Sequence, residues 1–446
     1  MRRILVLAGL AGTLAGAPAA AQAPIDYEHY TLPNGLSVFL VPNRTVPIVT
    51  VNVWYDVGSR NERVGRSGFA HLFEHMMFQG SANVGKGEHF QLIERAGGSM
   101  NGTTSEDRTN YFETLPSNRL NLGLWLEADR MRSLAITDEN FENQRETVKE
   151  ERRLRVDNQP YAGAFVEGLT VPFDTTACFG YAHSVIGSMD DLNAAKTVDV
   201  QEFFDLYYAP NNATLTLVGD FDTAEAKRLI EHYFGDIPRG ADPPSFACDV
   251  RFGGEARRVT WEDGLANLPA SFVAYRVPEH KHADIPALTL LGTIFGEGES
   301  SQLNRTLVRE QQVAAQAQAF VDSRRGPGLF IGLAIANQGQ TADTLAAAIQ
   351  AVVARIVAEG VSPEELEKAK NALRRDRVFS RQTSMGLAEQ IQHYVHFHDS
   401  VGEINVDLQR YLDVTADDIR RVARTYLVPA NSVTLLVVPK SQAVTP

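Results

Sequence analysis

The sequence predicts an α+β protein built from two homologous tandem domains. Each domain is expected to be a mainly antiparallel sheet with helices packed on one face. Three observations carry this reading. First, the chain has 446 residues, more than one ordinary hydrophobic core accommodates. Second, it repeats itself. "YYAPNNATLTLVGD" from Tyr207 and "YLVPANSVTLLVVP" from Tyr426 both read Tyr-x-x-Pro-x-Asn and then run into an apolar strand. Pro210 pairs with Pro429 and Asn212 with Asn431, an offset of 219 in each case. A period this long marks duplicated domains, not a solenoid. Third, "IPRGADPPSFACDV" between the copies is rich in Pro and Gly and reads as a linker. The expected division is a leader over 1–23, a first domain over 24–240 and a second over 241–446.

The elements follow in order. Arg2 and Arg3 precede the apolar run Ile4 to Leu14, and small residues follow. This is the pattern of a cleavable secretory signal, with Ala19 and Ala21 fitting a cut after Ala21. The mature chain is therefore expected in the periplasm or outside the cell, with no membrane span. "YEHYTLPNGLSVFLVPN" predicts a hairpin turning at Asn34-Gly35. Ile48 to Ser59 alternates as a further strand. Helices are expected at "GFAHLFEHMM", at "GEHFQLIERAG" and at "SNRLNLGLWLEADRMRSL", the last with Ser117 as its cap. The charged stretch "ENFENQRETVKEERRLRVDN" is helical by propensity.

The stretch Gly68 to Met77 carries the chemistry. On a helix, positions i, i+3 and i+4 share a face, so His71, Glu74 and His75 project together. Two imidazoles at that spacing can reach one zinc ion, and Glu74 stands where a carboxylate can take a proton from water. At the 219 offset these positions fall on Leu290 to Ile294, "LLGTI". One copy has the polar cluster and the other is apolar, as in a duplicated scaffold with one active site. A third ligand is best sought on the charged helix, which offers Glu142, Glu146, Glu150 and Glu151. Gln144, Val148, Glu151 and Arg155 share one face, so Glu151 is the acid placed to point inward, though periodicity alone leaves the choice open.

"HLFEHMMFQGS" resembles the inverted-motif zinc peptidases of the pitrilysin/insulinase type, which include the mitochondrial processing peptidases. The resemblance covers essentially the whole mature chain. It implies one zinc ion per chain and a third ligand 76 residues after the second histidine in a Val-x-x-Glu setting, which Glu151 after Val148 fits. It implies endopeptidase activity on short or unfolded peptides through a metal-activated water, with Glu74 as the base. "AGGSMNGTTSEDRTNYFETLP" looks like the family's glycine-rich turn and the edge strand that holds extended peptide, with Asn101, Thr103 and Thr104 near the scissile bond.

Two departures from the family pattern matter. Many members have a supporting Glu seven residues before the third ligand, where this chain has Gln144. Active single-chain members have an Arg followed seven residues later by a Tyr. Here Arg309 is present, as a substrate-binding candidate, but position 316 is Gln. The resemblance then implies a homologous, metal-free partner subunit that brings the Arg/Tyr pair, or a homodimer. A non-catalytic scaffold or peptide-binding subunit of the same fold is the alternative.

The remaining features are plainer. A net charge of −13 argues against nucleic acid as a partner. Cys178 and Cys248 either pair in an oxidising compartment or stay as buried thiols. "HYVHFH", with His393, His396 and His398, lacks a carboxylate or Cys to complete a metal site, except Asp399, and reads as ordinary helix packing or surface histidine.

Overall fold

The computed structural model describes residues 24–248, 256–398 and 400–440. The expected leader and Asp399 lie outside the described residues.

Apolar alternation builds two sheets. The first holds β1 (Glu28–Thr31), β2 (Ser37–Pro42), β3 (Ile48–Tyr55), β4 (Ser99–Thr104), β5 (Thr109–Pro116) and β6 (Ala213–Gly219). The second holds β7 (Arg257–Asp263), β8 (Ala270–Glu279), β9 (Ala314–Asp322), β10 (Pro327–Ala336) and β11 (Ser432–Pro439). Their orders are β1-β2-β6-β3-β5-β4 and β7-β11-β8-β10-β9. Without β1, the first order matches the second strand for strand. Each sheet has one parallel pair, β2 with β6 and β7 with β11, and the other pairs are antiparallel.

The repeat detected in the sequence is the entry to one member of each parallel pair, β6 in the first sheet and β11 in the second. Asn212 donates its side-chain amide to the Tyr207 carbonyl at 2.8 Å, and Asn431 donates to the Tyr426 carbonyl at 2.8 Å. The same side chain closes the same turn in both copies. The β1–β2 hairpin turns at Asn34-Gly35 as its sequence requires, with Gly35 at φ +97°. Ser117 caps no helix: it opens a short 3-10 turn ahead of Leu120–Ser133.

On β3, Val49, Val51 and Val53 enter the first domain's main core, under helices that include Phe69–Met76, Leu120–Ser133 and Thr223–Phe234. The opposite row, Thr50, Asn52 and Trp54, is buried too. The helix Ser384–His398, from the second half, covers it. Its Glu389 accepts from Asn52 Nδ2 at 2.7 Å and Asn110 Nδ2 at 2.9 Å, and its Gln392 donates to the Asn52 and Thr214 carbonyls. The reciprocal helix Ala162–Gly168, from the first half, sets Ala164 among Phe272, Leu333 and Leu435 on the second sheet. A Cβ on Gly168 would meet Leu435 Cδ2 at 2.2 Å, so a larger residue there would force that leucine side chain to move.

A polar lock joins the halves between these exchanged helices. Arg325 Nη1 contacts both carboxylate oxygens of Asp56 at 2.7 Å, and its backbone N–H donates to Asp107 Oδ2 at 2.9 Å. Tyr181 donates to Asp107 Oδ1 at 2.6 Å and accepts from the Gly326 N–H at 2.9 Å. Cys178 and Cys248 form a disulfide that ties the linker to the first domain. Among the described residues, no single helix is long and apolar enough to cross a membrane.

Candidate functional site

The helix Phe69–Met76 buries Phe69, Ala70, Leu72, Phe73 and Met76 and leaves His71, Glu74 and His75 half-buried on one face. Its start needs help, because Gly68 sits at φ +88° and offers no capping side chain. The buried Glu62 carboxylate supplies it, accepting from the N–H groups of Gly68 at 2.8 Å and Ala70 at 2.7 Å. Burial pushes the Glu62 carboxyl well up, and the backbone donors work against that. Sequence reading missed Glu62; no local pattern links it to the helix it caps.

The charged helix runs Asp138–Arg152, capped by Thr137, and packs against the motif helix. Of its acids, Glu151 is the one that turns inward. Its Oε2 lies 3.2 Å from His75 Nε2 and 3.6 Å from His71 Nε2. Arg155 holds the other oxygen, Oε1, at 2.9 Å. The three candidate ligand atoms lie within 4.8 Å of one another. Burial lowers the His71 imidazole to about 4, helped by the neighbouring His75, so its lone pair is free at neutral pH. The Glu151 carboxyl is held low by its hydrogen bond with His75, against burial. Two imidazole nitrogens and one carboxylate oxygen at these spacings form a donor set that fits zinc.

Glu74 points to the edge strand. It accepts from Thr104 Oγ1 at 2.5 Å, and burial raises its carboxyl above the ordinary value while that hydrogen bond opposes the shift. A Cβ on Gly102 would meet Glu74 Cγ at 3.2 Å and Tyr111 at 3.1 Å, so glycine lets β4 lie close against the helix. Strand alternation sends residues 102 and 104 to this face and 101 and 103 to the other. Thr103 accordingly donates to Asn110 Oδ1 at 2.5 Å, on the side covered by Ser384–His398, and Asn101 is exposed. The side chains of Asn101 and Thr103 thus face away from Glu74, and Thr104 is the residue that touches it. Among the described residues β4 is an edge strand of its sheet, paired only with β5.

The other candidates fall elsewhere. Gln144 is buried, but its amide donates to Asn143 Oδ1 at 2.7 Å and not to a histidine; His71 Nδ1 is buried without a hydrogen-bond partner. Arg309 is exposed and paired with Glu299 at 2.6 Å. Gln316 is exposed on β9, opposite Ile335. What the second half brings toward the cluster is a different set. A cavity of about 480 Å³ is lined by His71, Thr104 and Glu151 on one side and by Phe320, Asp322 and Arg324 on the other. Arg324 pairs there with Glu106 at 3.1 Å and Asp322 at 2.7 Å.

Comparison with known proteins sorts these features. The model for "Insulinase (Peptidase family M16)" matches residues 37–166, and that for "Peptidase M16 inactive domain" matches 197–373. A zinc protease named PqqE from Helicobacter pylori is 32% identical over 446 residues, covering 98% of this chain and 99% of its own. The chain belongs to peptidase family M16. A solved protease from Helicobacter pylori superposes with a TM-score of 0.88 at 30% identity, over 93% of this chain and 99% of that one. The periplasmic protease PqqL from Escherichia coli shares the fold at a TM-score of 0.75 and 19% identity, over 94% of this chain and 48% of that chain. In this M16 chain, the half with the polar helix matches the insulinase model, and most of the inactive-domain match lies over the half with the apolar one.

Proposed function

We propose that the chain is a zinc-dependent endopeptidase that hydrolyses short or unfolded peptides. The observation that carries this is the meeting of His71, His75 and Glu151, with Glu74 one turn away at a free strand edge. Zinc held by those three ligands would supply a Lewis acid for the peptide carbonyl and for water. The chain's own groups do the rest. Arg155 fixes one oxygen of Glu151 and leaves the other to the histidines. Glu74, partly desolvated, takes the proton of the attacking water and passes it to the leaving amine nitrogen. Peptide pairs with the backbone of β4, which suits loosely specified sequences, and Asn101 and Thr103 line the far side of that strand.

The second half supports a shared enzyme. Arg309 is engaged with Glu299 and no Tyr stands at Gln316, so a homologous metal-free subunit would supply the Arg/Tyr pair, or a second copy would close the chamber. PqqL leaves room for such a unit, since this fold accounts for 48% of its chain. The leader-like sequence pattern supports a working place in the periplasm or outside the cell. A peptide-binding subunit without hydrolysis is the competing reading.

Glu74→Gln separates them. Hydrolysis of a peptide library should fall by roughly 10²–10⁴-fold while zinc content stays at the wild-type level. Unchanged turnover in that variant rejects the mechanism.

A further inference from the structure

The end of the helix Ser384–His398 brings three imidazoles together outside the site described above. His393 and His398 come from its last turns, and His280 follows β8. His280 Nε2 lies 2.9 Å from His398 Nε2 and 3.2 Å from His393 Nε2. Two imidazoles on a tetrahedral ion, at about 2.0–2.1 Å each, set their nitrogens roughly 3.3 Å apart. The His280 ring lies 4.7 and 4.8 Å from the other two, close to the 4.9 Å between His71 and His75, and the His393 and His398 rings are 5.8 Å apart.

Hydrogen bonding alone serves this trio poorly. His280 Nε2 has one lone pair or one proton, yet two other Nε2 atoms converge on it. Its Nδ1 is engaged by Ser323 Oγ at 2.7 Å, the kind of outer contact that orients a metal-binding histidine. Burial is the first cause of a depressed pKa at all three rings, so at neutral pH they present lone pairs and not charge. His396, between them in sequence, turns the other way and packs its ring 5.1 Å from that of Trp54. The sequence reading of "HYVHFH" as ordinary packing therefore holds for His396 but leaves out the partner, His280, which is more than a hundred residues away.

We propose that His280, His393 and His398 form a second metal site, for a borderline divalent ion such as zinc, nickel or copper. An all-imidazole donor set selects that class over calcium or magnesium. All three ligands belong to the second half, while the helix that carries two of them covers the back of the first sheet. Ser323 stands two residues before Arg325, which joins the halves at Asp56. A bound ion would clamp the crossing helix to the second domain beside that lock.

The test is metal stoichiometry on the full mature chain, stripped with chelator, reloaded with zinc alone and desalted. Wild type should hold two equivalents, His71→Ala/His75→Ala one, and His280→Gln/His398→Gln one. In the His71→Ala/His75→Ala background, zinc should raise the thermal midpoint, and adding His398→Gln should abolish that rise. Should wild type hold only one equivalent, lost in His280→Gln/His398→Gln but kept in His71→Ala/His75→Ala, this site stands and the first does not. The proposal is overturned if His71→Ala/His75→Ala holds no zinc, or if His280→Gln/His398→Gln, with a wild-type circular dichroism spectrum, still holds as much as wild type.

Discussion

The two domains share a sheet order and a strand-entry turn, yet diverge at one helix. In the first, Phe69–Met76 presents side chains of His71 and His75 that are 14% and 23% exposed. In the second, Ile285–Gly296 seals the matching positions with Leu290 and Ile294, 1% and 6% exposed. The helix starts differ as well. Glu62 reaches in to cap the first, whereas the second carries Pro286 in its first turn, a position with no N–H to satisfy. The difference teaches that the scaffold does not depend on the chemistry. Apolar residues hold the helix to its sheet in both copies, and the polar cluster occupies a face that the second copy simply fills.

Substitutions can break this comparison, beginning with the largest effect. His75→Ala should lose zinc and hydrolysis together, on the order of 10³-fold or more, because a Lewis acid contributes several kcal/mol. Metal analysis and peptide turnover on one preparation check it. Cys178→Ala/Cys248→Ala removes a link across 70 residues and should cost about 4 kcal/mol by the chain-entropy relation. Urea denaturation reads that loss, and zinc affinity should not change. Leu290→Ala should cost about 2–5 kcal/mol of stability, as large-to-small core changes do, and leave zinc content intact. A Leu290 variant that lost zinc would break the division of labour between the copies.

Thr104→Val is the smallest change and sharpens the picture most. Its hydroxyl bonds to Glu74 and favours the ionised carboxylate. Without it the Glu74 pKa rises further, so the acid limb of the pH–rate profile should move to higher pH by about one unit or less. Thr103→Val, on the opposite face, should leave that limb in place.

What was legible in the sequence was local or repeated. The i, i+3, i+4 spacing fixes the face of His71, Glu74 and His75 without knowledge of the fold. The Asn212 and Asn431 turns repeat, so their role shows in the text of the chain. Glu151 needed the family resemblance, because helical periodicity narrowed the choice of acid without deciding it. The rest depends on parity and on distance. Whether Thr103 or Thr104 meets Glu74 turns on strand register, where a shift of one residue reverses the face. Glu62, Arg324 and the His280 cluster join residues across loops or domains, with no spacing to betray them. The exchanged helices are invisible for the same reason. Ser384–His398 has an amphipathic pattern that any sheet face could satisfy, and only the docking of Glu389 on Asn52 and Asn110 says which one it covers.

Anomalous X-ray scattering at the zinc edge, from crystals of the zinc-loaded chain, tests the central claim most directly. The account predicts a peak bonded to His71, His75 and Glu151 in the first domain, and no density of that kind at Leu290 to Ile294. Crystals with no peak among His71, His75 and Glu151 would contradict it.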